Sequence, residues 1–373
     1  MTDYEALMDE ALTLAARGGT WVSPNPMVGA IVVKDGRVVG RGYHKEYGGR
    51  HAEVFALQEA GELSRGATLY CTLEPCNHFG KTPPCSQAVI AAGIKTVVLG
   101  ALDPNPNAKG GIAALKAAGI EVITGIRERE CRELNRAFFK RIRTGLPFIT
   151  LKWAMSADGR IATAGGESKW ITGEAAREHA HWLRGQHDAI LVGIGTLLAD
   201  GARLNCRAVG VPLRQPARVI LDSSLRTPPD APLFSARDAG PVIIACRASA
   251  SAERMSALAQ RGATFIADEN LPSPSALPGV LKELAHRGIQ SVLVEGGSRV
   301  LGSFIDARLC DAVEIFIGAR LLGGAAALGP VGGSGIGKLG DALLLGDIRV
   351  TTAGTDAVLS GRCGSWDWLQ TSS

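Results

Sequence analysis

Between His51 and Cys85 stand the side chains most able to do chemistry: the His51 imidazole, the Cys76 and Cys85 thiols, and the Glu53 carboxylate two residues after the imidazole. Zinc is tetrahedral and borderline-soft, so a catalytic site takes three protein ligands and leaves a fourth position for water, whose pKa falls to about 7 there. Two thiolates and a neutral imidazole would offset the metal charge. A carboxylate fixed beside them can carry a proton from water to a leaving amine without taking a coordination position, and Glu53 has that place. The set reads as a hydrolytic zinc centre that removes an exocyclic amine from a base, with His51, Cys76 and Cys85 as ligands and Glu53 as the catalytic acid-base.

Each residue alone has a plainer reading. A single histidine at a helix start is usually a cap or a core residue, and a single cysteine a small hydrophobe. Their joint occurrence with the glutamate favours the site. The short form of such a centre is His-x-Glu followed by Pro-Cys-x-x-Cys. Here eight residues, Asn77 to Pro84, separate the two cysteines, so Cys85 must return to the metal at the end of an inserted loop. His44 and His78 are rival ligands; the Glu53 neighbour favours His51 and leaves the other two as substrate-pocket or surface residues.

The elements that must position these groups follow from periodicity. Residues 3–17 carry Leu7, Ala11, Leu14 and Ala15 on one helical face. Met27 to Val33 reads as a buried strand, turned at Asp35-Gly36 into a partner over Arg37 to Gly42. Thr68 to Leu73 is a strand that delivers Pro75-Cys76 at its end, and the proline predicts a helix start there, with backbone N–H groups favouring a thiolate. A helix from Cys85, a strand at Thr96 to Gly100, a polar stretch Asp103 to Asn107, a helix from Gly111 and a short strand at Glu121 to Ile123 continue the alternation. This predicts a sheet between helical layers. A basic helix from Glu128 to Arg143 then leads to Thr144-Gly145-Leu146-Pro147, which divides the chain into domains 1–146 and 147–373.

The second half opens on a strand from Phe148 to Ala154, turns at Asp158-Gly159, and continues with a helix that Thr172 could cap. Further strands are predicted at 189–193, 218–222, 242–246 and 291–295, with Leu271 to Pro278 as an exposed loop. Gly296-Gly297-Ser298 between strand and helix would let backbone N–H groups approach a phosphate; a tight strand-to-helix turn explains it equally well, as it does Gly193-Ile194-Gly195-Thr196.

Length and composition narrow the class. At 373 residues there is core for two or three domains, and the 47 glycines suit an α/β chain with many tight turns. A net charge of +4 without long basic blocks argues against nucleic acid and suits anionic small molecules. Eight scattered cysteines suggest a reducing compartment. The acidic first ten residues do not read as a signal peptide, and no apolar run reaches about 20 residues, so no membrane helix is expected. The expectation is a cytoplasmic enzyme.

With these stretches in hand, the sequence resembles the bifunctional riboflavin biosynthesis enzymes, a pyrimidine deaminase fused to a pyrimidine reductase. In the first half the likeness runs through Pro24-Asn25-Pro26-x-Val28-Gly29, His51-Ala52-Glu53, Glu74-Pro75-Cys76, Gly80-Lys81-Thr82-Pro83-Pro84-Cys85 and Asp103-Pro104-Asn105-Pro106. The long gap between the cysteines is what this family has. In the second half it runs through Leu151-Lys152-x-Ala154-x-Ser156-x-Asp158-Gly159, Ser168-x-Trp170-Ile171-Thr172, Leu198-Ala199-Asp200 and Val294-Glu295-Gly296-Gly297.

The resemblance implies a cytidine-deaminase-like three-layer α/β/α domain followed by a dihydrofolate-reductase-like α/β domain. It implies zinc-dependent deamination of 2,5-diamino-6-(5-phosphoribosylamino)pyrimidin-4-one, then reduction of the ribosyl side chain with NADPH. By matched position, Ala154, Trp170, Thr196, Asp200, Ser223 and Gly297 would contact NADPH, while Ser168, Arg184, Leu204, Arg207 and Glu295 would hold the substrate. Arg184 and Arg207 suit a phosphate, which a planar guanidinium grips with two hydrogen bonds, although either could be a solvated surface charge. A homodimer or tetramer would fit the family. One departure stands out: the family has Asp-Asp-Pro after Leu-Ala, whereas this chain reads Asp200-Gly201-Ala202 and so lacks a carboxylate and a rigid proline. Two rivals remain at this point, a nucleoside or tRNA deaminase whose second half only binds a ligand, and a non-catalytic zinc-stabilised binding protein.

Overall fold

In the computed structural model, which describes residues 4–207, 214–236 and 239–370, the first apolar run becomes β1 (Gly29–Lys34) and turns at Asp35-Gly36, both at positive φ, into β2 (Arg37–Tyr43). With β3 (Thr68–Leu73), β4 (Thr96–Ala101) and β5 (Glu121–Thr124) these form a sheet in the order β2-β1-β3-β4-β5. β1 is antiparallel to β2 and β3, and β3, β4 and β5 are parallel. Side chains alternate between faces, as the pleat requires. Ala30, Val32, Leu69, Cys71, Val97 and Leu99 pack on one side against α2 (Ala52–Ala60), α3 (Cys85–Ala91) and α4 (Gly111–Ala117). Ile31, Val33, Tyr70 and Val98 pack on the other against α1 (Tyr4–Ala16), α5 (Glu128–Leu134) and α6 (Arg136–Thr144). The result is the expected α/β/α sandwich.

Helix α2 lies unusually close to the hairpin. Ala52, Ala56 and Ala60 recur every four residues and so share one face, and that face meets Gly40 and Gly42. A Cβ at Gly40 would come within 2.1 Å of the Ala56 carbonyl oxygen, and one at Gly42 within 2.1 Å of the Ala52 carbonyl oxygen. Two glycines against three alanines therefore set the height of the helix over the sheet.

The basic helix predicted over 128–143 is two helices, broken at Asn135. The buried Asn135 amide pairs with the backbone of Met27, accepting from its N–H at 2.7 Å and donating to its carbonyl at 2.8 Å. An Asn side chain competes with helical hydrogen bonding, and here its bonds go to a distant loop. Residues 368–370, which the sequence reading assigned to the second domain, cluster with residues up to Gly145, while Leu146–Asp367 form the other unit. The cause is local: Arg132 and Arg143 donate to the carbonyls of Leu369 and Trp368, and both of those side chains pack beside Phe138 and Phe139.

In the second unit β6 (Phe148–Ser156), β7 (Ala189–Gly193), β8 (Ala217–Leu221), β9 (Val242–Cys246), β10 (Ala263–Ala267), β11 (Ser291–Val294), β12 (Ala312–Gly318), β13 (Leu345–Ala353) and β14 (Asp356–Cys363) make one sheet. Its order is β10-β9-β8-β7-β11-β6-β12-β14-β13, parallel as far as β12 and antiparallel beyond. Helices α10 (Leu277–His286) and α11 (Ser298–Asp306) cover one face; α7 (Glu174–Gly185), α8 (Ile194–Asp200) and α9 (Ala252–Gln260) cover the other. Two expectations change here. Thr172 does not cap α7: the N-cap is Gly173, whose N–H is held by Asp356 at 2.6 Å. Leu271 to Pro278 is no exposed loop, since Leu271, Ala276 and Leu277 are buried and the prolines shape a tight turn and the first turn of α10. Among the described residues no helix is long and apolar enough to cross a membrane.

Because the Gly42 site cannot take a methyl group without moving α2, Gly42→Ala is expected to cost about 1–3 kcal/mol of stability and to speed amide hydrogen exchange across Ala52–Ala60. Wild-type exchange rates in that helix would contradict the close-packing argument.

Candidate active sites

The first site is assembled where β3 and β4 end, facing the first turn of α2. His51 is the N-cap of α2, with extended backbone and no capping bond from its side chain, so the imidazole is free to turn inward. Its Nδ1 lies 3.2 Å from Cys85 Sγ and 3.6 Å from Cys76 Sγ. The three ligand atoms all fall within 4.8 Å of one another, close enough to share one cation. Cys76 does not begin a helix, contrary to the reading of Pro75; the helix starts nine residues later, and it is the Cys85 N–H, at the first turn of α3, that faces Cys76 Sγ at 3.5 Å. The inserted loop thus brings back a thiol and a helix start together.

The three donors shift one another's proton affinities. The Cys76 sulfur accepts from the Cys85 thiol and from His51, which outweighs its burial and holds it down at about 4, while Cys85, the donor of that pair, is pushed up. The same thiolate raises His51. Glu53 is 3% exposed, and its Oε2 has no hydrogen-bond partner. Burial raises its carboxyl, opposed only in part by His51. A desolvated acid with an uncommitted oxygen can hold a proton and hand it on.

A cavity of about 220 Å³ opens onto this group, lined by Asn25, His44, Glu53, His78, Lys81, Asp103 and Asn105 among others. His44 and His78 are thus wall residues outside the three-donor cluster. His44 is buried edge-on against His51, its Nδ1 3.0 Å from the Arg50 carbonyl and its Nε2 3.1 Å from the Asn25 amide. Glu74 organises the wall: its carboxylate accepts from Ile112 N–H at 3.2 Å and Asp103 N–H at 3.4 Å. Gly111 permits this, since a Cβ there would meet the Pro75 carbonyl at 1.9 Å. Burial, with Glu74 adding, pushes the Asp103 carboxyl up to about 7.

The second site lies at the carboxyl ends of β6, β11, β7 and β8, where open parallel sheets bind ligands. A cavity of about 1330 Å³ there is lined by Ala154, Ser168, Trp170, Arg184, Thr196, Asp200, Arg207, Ser223, Glu295 and Gly297. Of the residues matched by resemblance, Leu204 alone is not on the wall; it is 3% exposed in the core beneath. Thr196 Oγ1 accepts the Gly297 N–H at 2.8 Å, tying the two glycine turns together. Arg184 lines the cavity but is already engaged within its wall. Its Nε and Nη2 grip Glu295 at 2.6–3.1 Å and its Nη1 donates to the Asn205 carbonyl. Burial alone would raise the Glu295 carboxyl, but Arg184 and Lys152 outweigh it and hold it below the ordinary range. Arg207, by contrast, is exposed and, among the described residues, bonded only to His181.

Sequence reading passed over Lys152 and His181. Lys152 is lowered by burial, and His181 is pushed down to about 4 by burial, then by Arg184 and Arg207. Both line the cavity. A lysine inside the apolar run Leu151 to Ala154 was the available signal for the first; nothing in the pattern around His181 singled it out.

Comparison with known proteins agrees with both geometries. Residues 1–101 match the cytidine and deoxycytidylate deaminase zinc-binding region, and residues 147–359 match the RibD C-terminal domain. The chain is 42% identical over 353 residues to the riboflavin biosynthesis protein RibD of Aquifex aeolicus, covering 94% of this chain and 96% of that one. The chain belongs to the RibD family. The Bacillus amyloliquefaciens RibD is 44% identical over 360 residues, covering 95% of each chain. Among solved structures, Acinetobacter baumannii RibD superposes with a TM-score of 0.88 at 36% identity, covering 97% of this chain and 99% of that one. The Thermotoga maritima diaminohydroxyphosphoribosylaminopyrimidine deaminase/5-amino-6-(5-phosphoribosylamino)uracil reductase does so at 0.85, with the same identity and coverage.

Removing the Glu295 charge would leave Arg184 partly buried and unpaired. Glu295→Gln is therefore expected to lower the stability of the second unit by about 3 kcal/mol at pH 7. Since the folded carboxyl lies below its unfolded value of about 4.3, the wild-type advantage is complete above that value and is lost as pH falls through the folded one. Urea unfolding of both proteins at stepped pH measures it; a gap that persists unchanged into strong acid would rule out the ion pair as its source.

Proposed function

We propose that the chain carries out two consecutive steps on one riboflavin precursor. The first unit hydrolyses 2,5-diamino-6-(5-phosphoribosylamino)pyrimidin-4(3H)-one to the corresponding uracil and ammonia. The second reduces the ribosyl side chain, giving 5-amino-6-(5-phosphoribitylamino)uracil. The observation that carries the deaminase reading is the convergence of one imidazole nitrogen and two sulfurs within 4.8 Å, beside a buried carboxylate whose Oε2 is uncommitted.

His51, Cys76 and Cys85 would hold zinc, and this donor set suits it. Bound there, zinc supplies a Lewis acid that makes water nucleophilic near neutral pH. Glu53 takes the proton from the attacking water and delivers it to the departing amine, so water adds at carbon and ammonia leaves. Burial raises its carboxyl above the ordinary range, the direction that lets it hold a proton between the two transfers.

In the second unit, the glycine turn at Gly297, clipped by Thr196, offers the close backbone approach a dinucleotide needs. NADPH, when bound, supplies a hydride. Ala154, Trp170, Thr196, Asp200, Ser223 and Gly297 would hold it, and Ser168, Arg207 and Glu295 the substrate. Arg207, exposed on the cavity wall, would offer its guanidinium to the substrate phosphate. Arg184 acts through Glu295, fixing its carboxylate, and Leu204 supports the wall from the core. The Gly201-Ala202 departure leaves α8 ending on Gly201 at φ 56°, a left-handed cap that glycine adopts without strain.

Metal analysis with an ammonia-release assay on the phosphoribosyl substrate tests the first step. About one zinc per chain is expected. Glu53→Gln should keep that metal and lose ammonia release by a factor of about 100 or more, whereas full deamination by the variant would remove Glu53 from the mechanism. Chelation should abolish ammonia release yet leave oxidation of NADPH by the deaminated substrate intact.

A further inference from the structure

The cysteines are all buried thiols, and four of them stand in pairs. Cys76 and Cys85 belong to the three-donor cluster of the first unit. The other pair is Cys310 and Cys363, 53 positions apart in sequence, whose Sγ atoms lie 2.8 Å from each other. Among the described residues, none of the remaining cysteines, Cys71, Cys131, Cys206 and Cys246, has a second sulfur as a hydrogen-bond partner.

The fold fixes both partners of the second pair. Cys310 lies on the link from α11 to β12, and Cys363 is the last residue of β14. β12 and β14 are antiparallel neighbours with Ala312 facing Arg362, so the two sulfurs meet where that ladder ends. Cys363 N–H donates to the Asp311 carbonyl at 2.8 Å, and the Trp366 indole donates to the same oxygen at 3.1 Å. Asp311 is held in turn by β6: its N–H donates to the Ile149 carbonyl at 3.0 Å, and its carboxylate accepts the Ile149 N–H at 2.7 Å. On the far side, Gly364 N–H donates to the Leu344 carbonyl at 3.1 Å. Both cysteines sit in the apolar core that α10 and α11 form with the sheet.

A buried cysteine is ordinarily a small hydrophobe, and packing alone accounts for the burial of these two. It does not account for one thiol being aimed at the other. The Cys310 sulfur lies 3.4 Å from the Ala312 carbonyl, so it can donate there while accepting the Cys363 proton. A metal site is excluded by the donor count. Among the described residues the only cluster of three histidine, cysteine or carboxylate donors is that of His51, Cys76 and Cys85. Two thiols without a third ligand have one remaining joint chemistry, which is to bond to each other. Reaching a disulfide bond length of about 2.05 Å takes less than about 1 Å of approach, within what side-chain rotation supplies.

We propose that Cys310 and Cys363 are a reversible redox pair, converted by a hydroperoxide into a disulfide that staples the end of β14 to the start of β12. Cys310 is 7% exposed against 3% for Cys363, so its sulfur meets the oxidant first. That sulfur attacks the peroxide and the O–O bond breaks. A sulfenic acid forms, and the thiol proton leaves with the departing oxygen as water or an alcohol. The Cys363 sulfur then attacks the sulfenic sulfur, forming the S–S bond and releasing the hydroxyl with the second thiol proton as water. Two thiols have lost two electrons and the peroxide has gained them; a dithiol reductant reverses the change. Neither residue lines the large cavity of this unit. The bond therefore acts on the stability of the fold, by restricting the unfolded chain across the long loop that it closes.

The test treats the zinc-loaded full chain with hydrogen peroxide, alkylates the remaining thiols under denaturing conditions and maps the peptides by mass spectrometry. A Cys310–Cys363 cross-linked peptide is expected, lighter by two hydrogens than the sum of its parts and lost on treatment with dithiothreitol. Its formation should raise the unfolding temperature of the second unit by about 5 °C or more. In Cys363→Ser the resolving thiol is gone, so dimedone should trap Cys310 as its sulfenic acid several-fold more than in the wild type, and the peroxide-induced rise should vanish. The bond itself is read on the wild-type protein, so a poorly folding variant does not blur the outcome. Wild-type protein in which both thiols stay open to alkylation after peroxide, or in which either one is cross-linked to a different cysteine, would overturn the pairing. A Cys310–Cys363 bond that leaves the unfolding temperature unmoved would overturn the staple.

Discussion

The first unit depends on how near a helix can come to a strand. Only because Gly40 and Gly42 carry no side chain does the alanine face of α2 sit directly on the hairpin, and that height decides where His51 and Glu53 stand relative to the ends of β3 and β4. Cys76 arrives from the sheet and Cys85 from α3, so the three-donor cluster exists only if helix and sheet are held at one separation. Packing density near that of crystals leaves little slack for error.

The two sites use buried carboxylates to opposite ends. Glu53 and Glu295 are both withdrawn from water, which disfavours the charged form. For Glu53 the His51 imidazole offsets only part of that cost, so its acid is raised. Glu295 has a bidentate guanidinium and a buried ammonium, so its acid is lowered. One is suited to exchanging a proton and the other to keeping a fixed negative charge in a defined place. Burial alone decides neither outcome; the partner does.

Much of this was legible from residue order. The three converging donors and the glutamate beside them were readable because they are local in sequence and chemically specific, and the buried strands because apolar runs bounded by glycine and proline have few other uses. What was not legible depended on distant partners. The break at Asn135 answers to Met27, more than a hundred residues away in sequence. The N-cap of α7 is settled by Asp356, and the burial of Leu271 by packing against α10. The occupation of Arg184 by Glu295 could not be foreseen either, since an arginine that grips a carboxylate and one that grips a phosphate look alike as letters.

The return of residues 368–370 to the first unit makes that unit discontinuous along the chain. Severing the polypeptide after Gly145 would therefore not release it whole: the N-terminal fragment would lose the carbonyl acceptors of Arg132 and Arg143 and expose the apolar edge of Phe138 and Phe139 that Trp368 and Leu369 cover. Any gene-level separation of the two activities has to carry this tail with the N-terminal half, for instance by circular rearrangement, to keep its architecture complete.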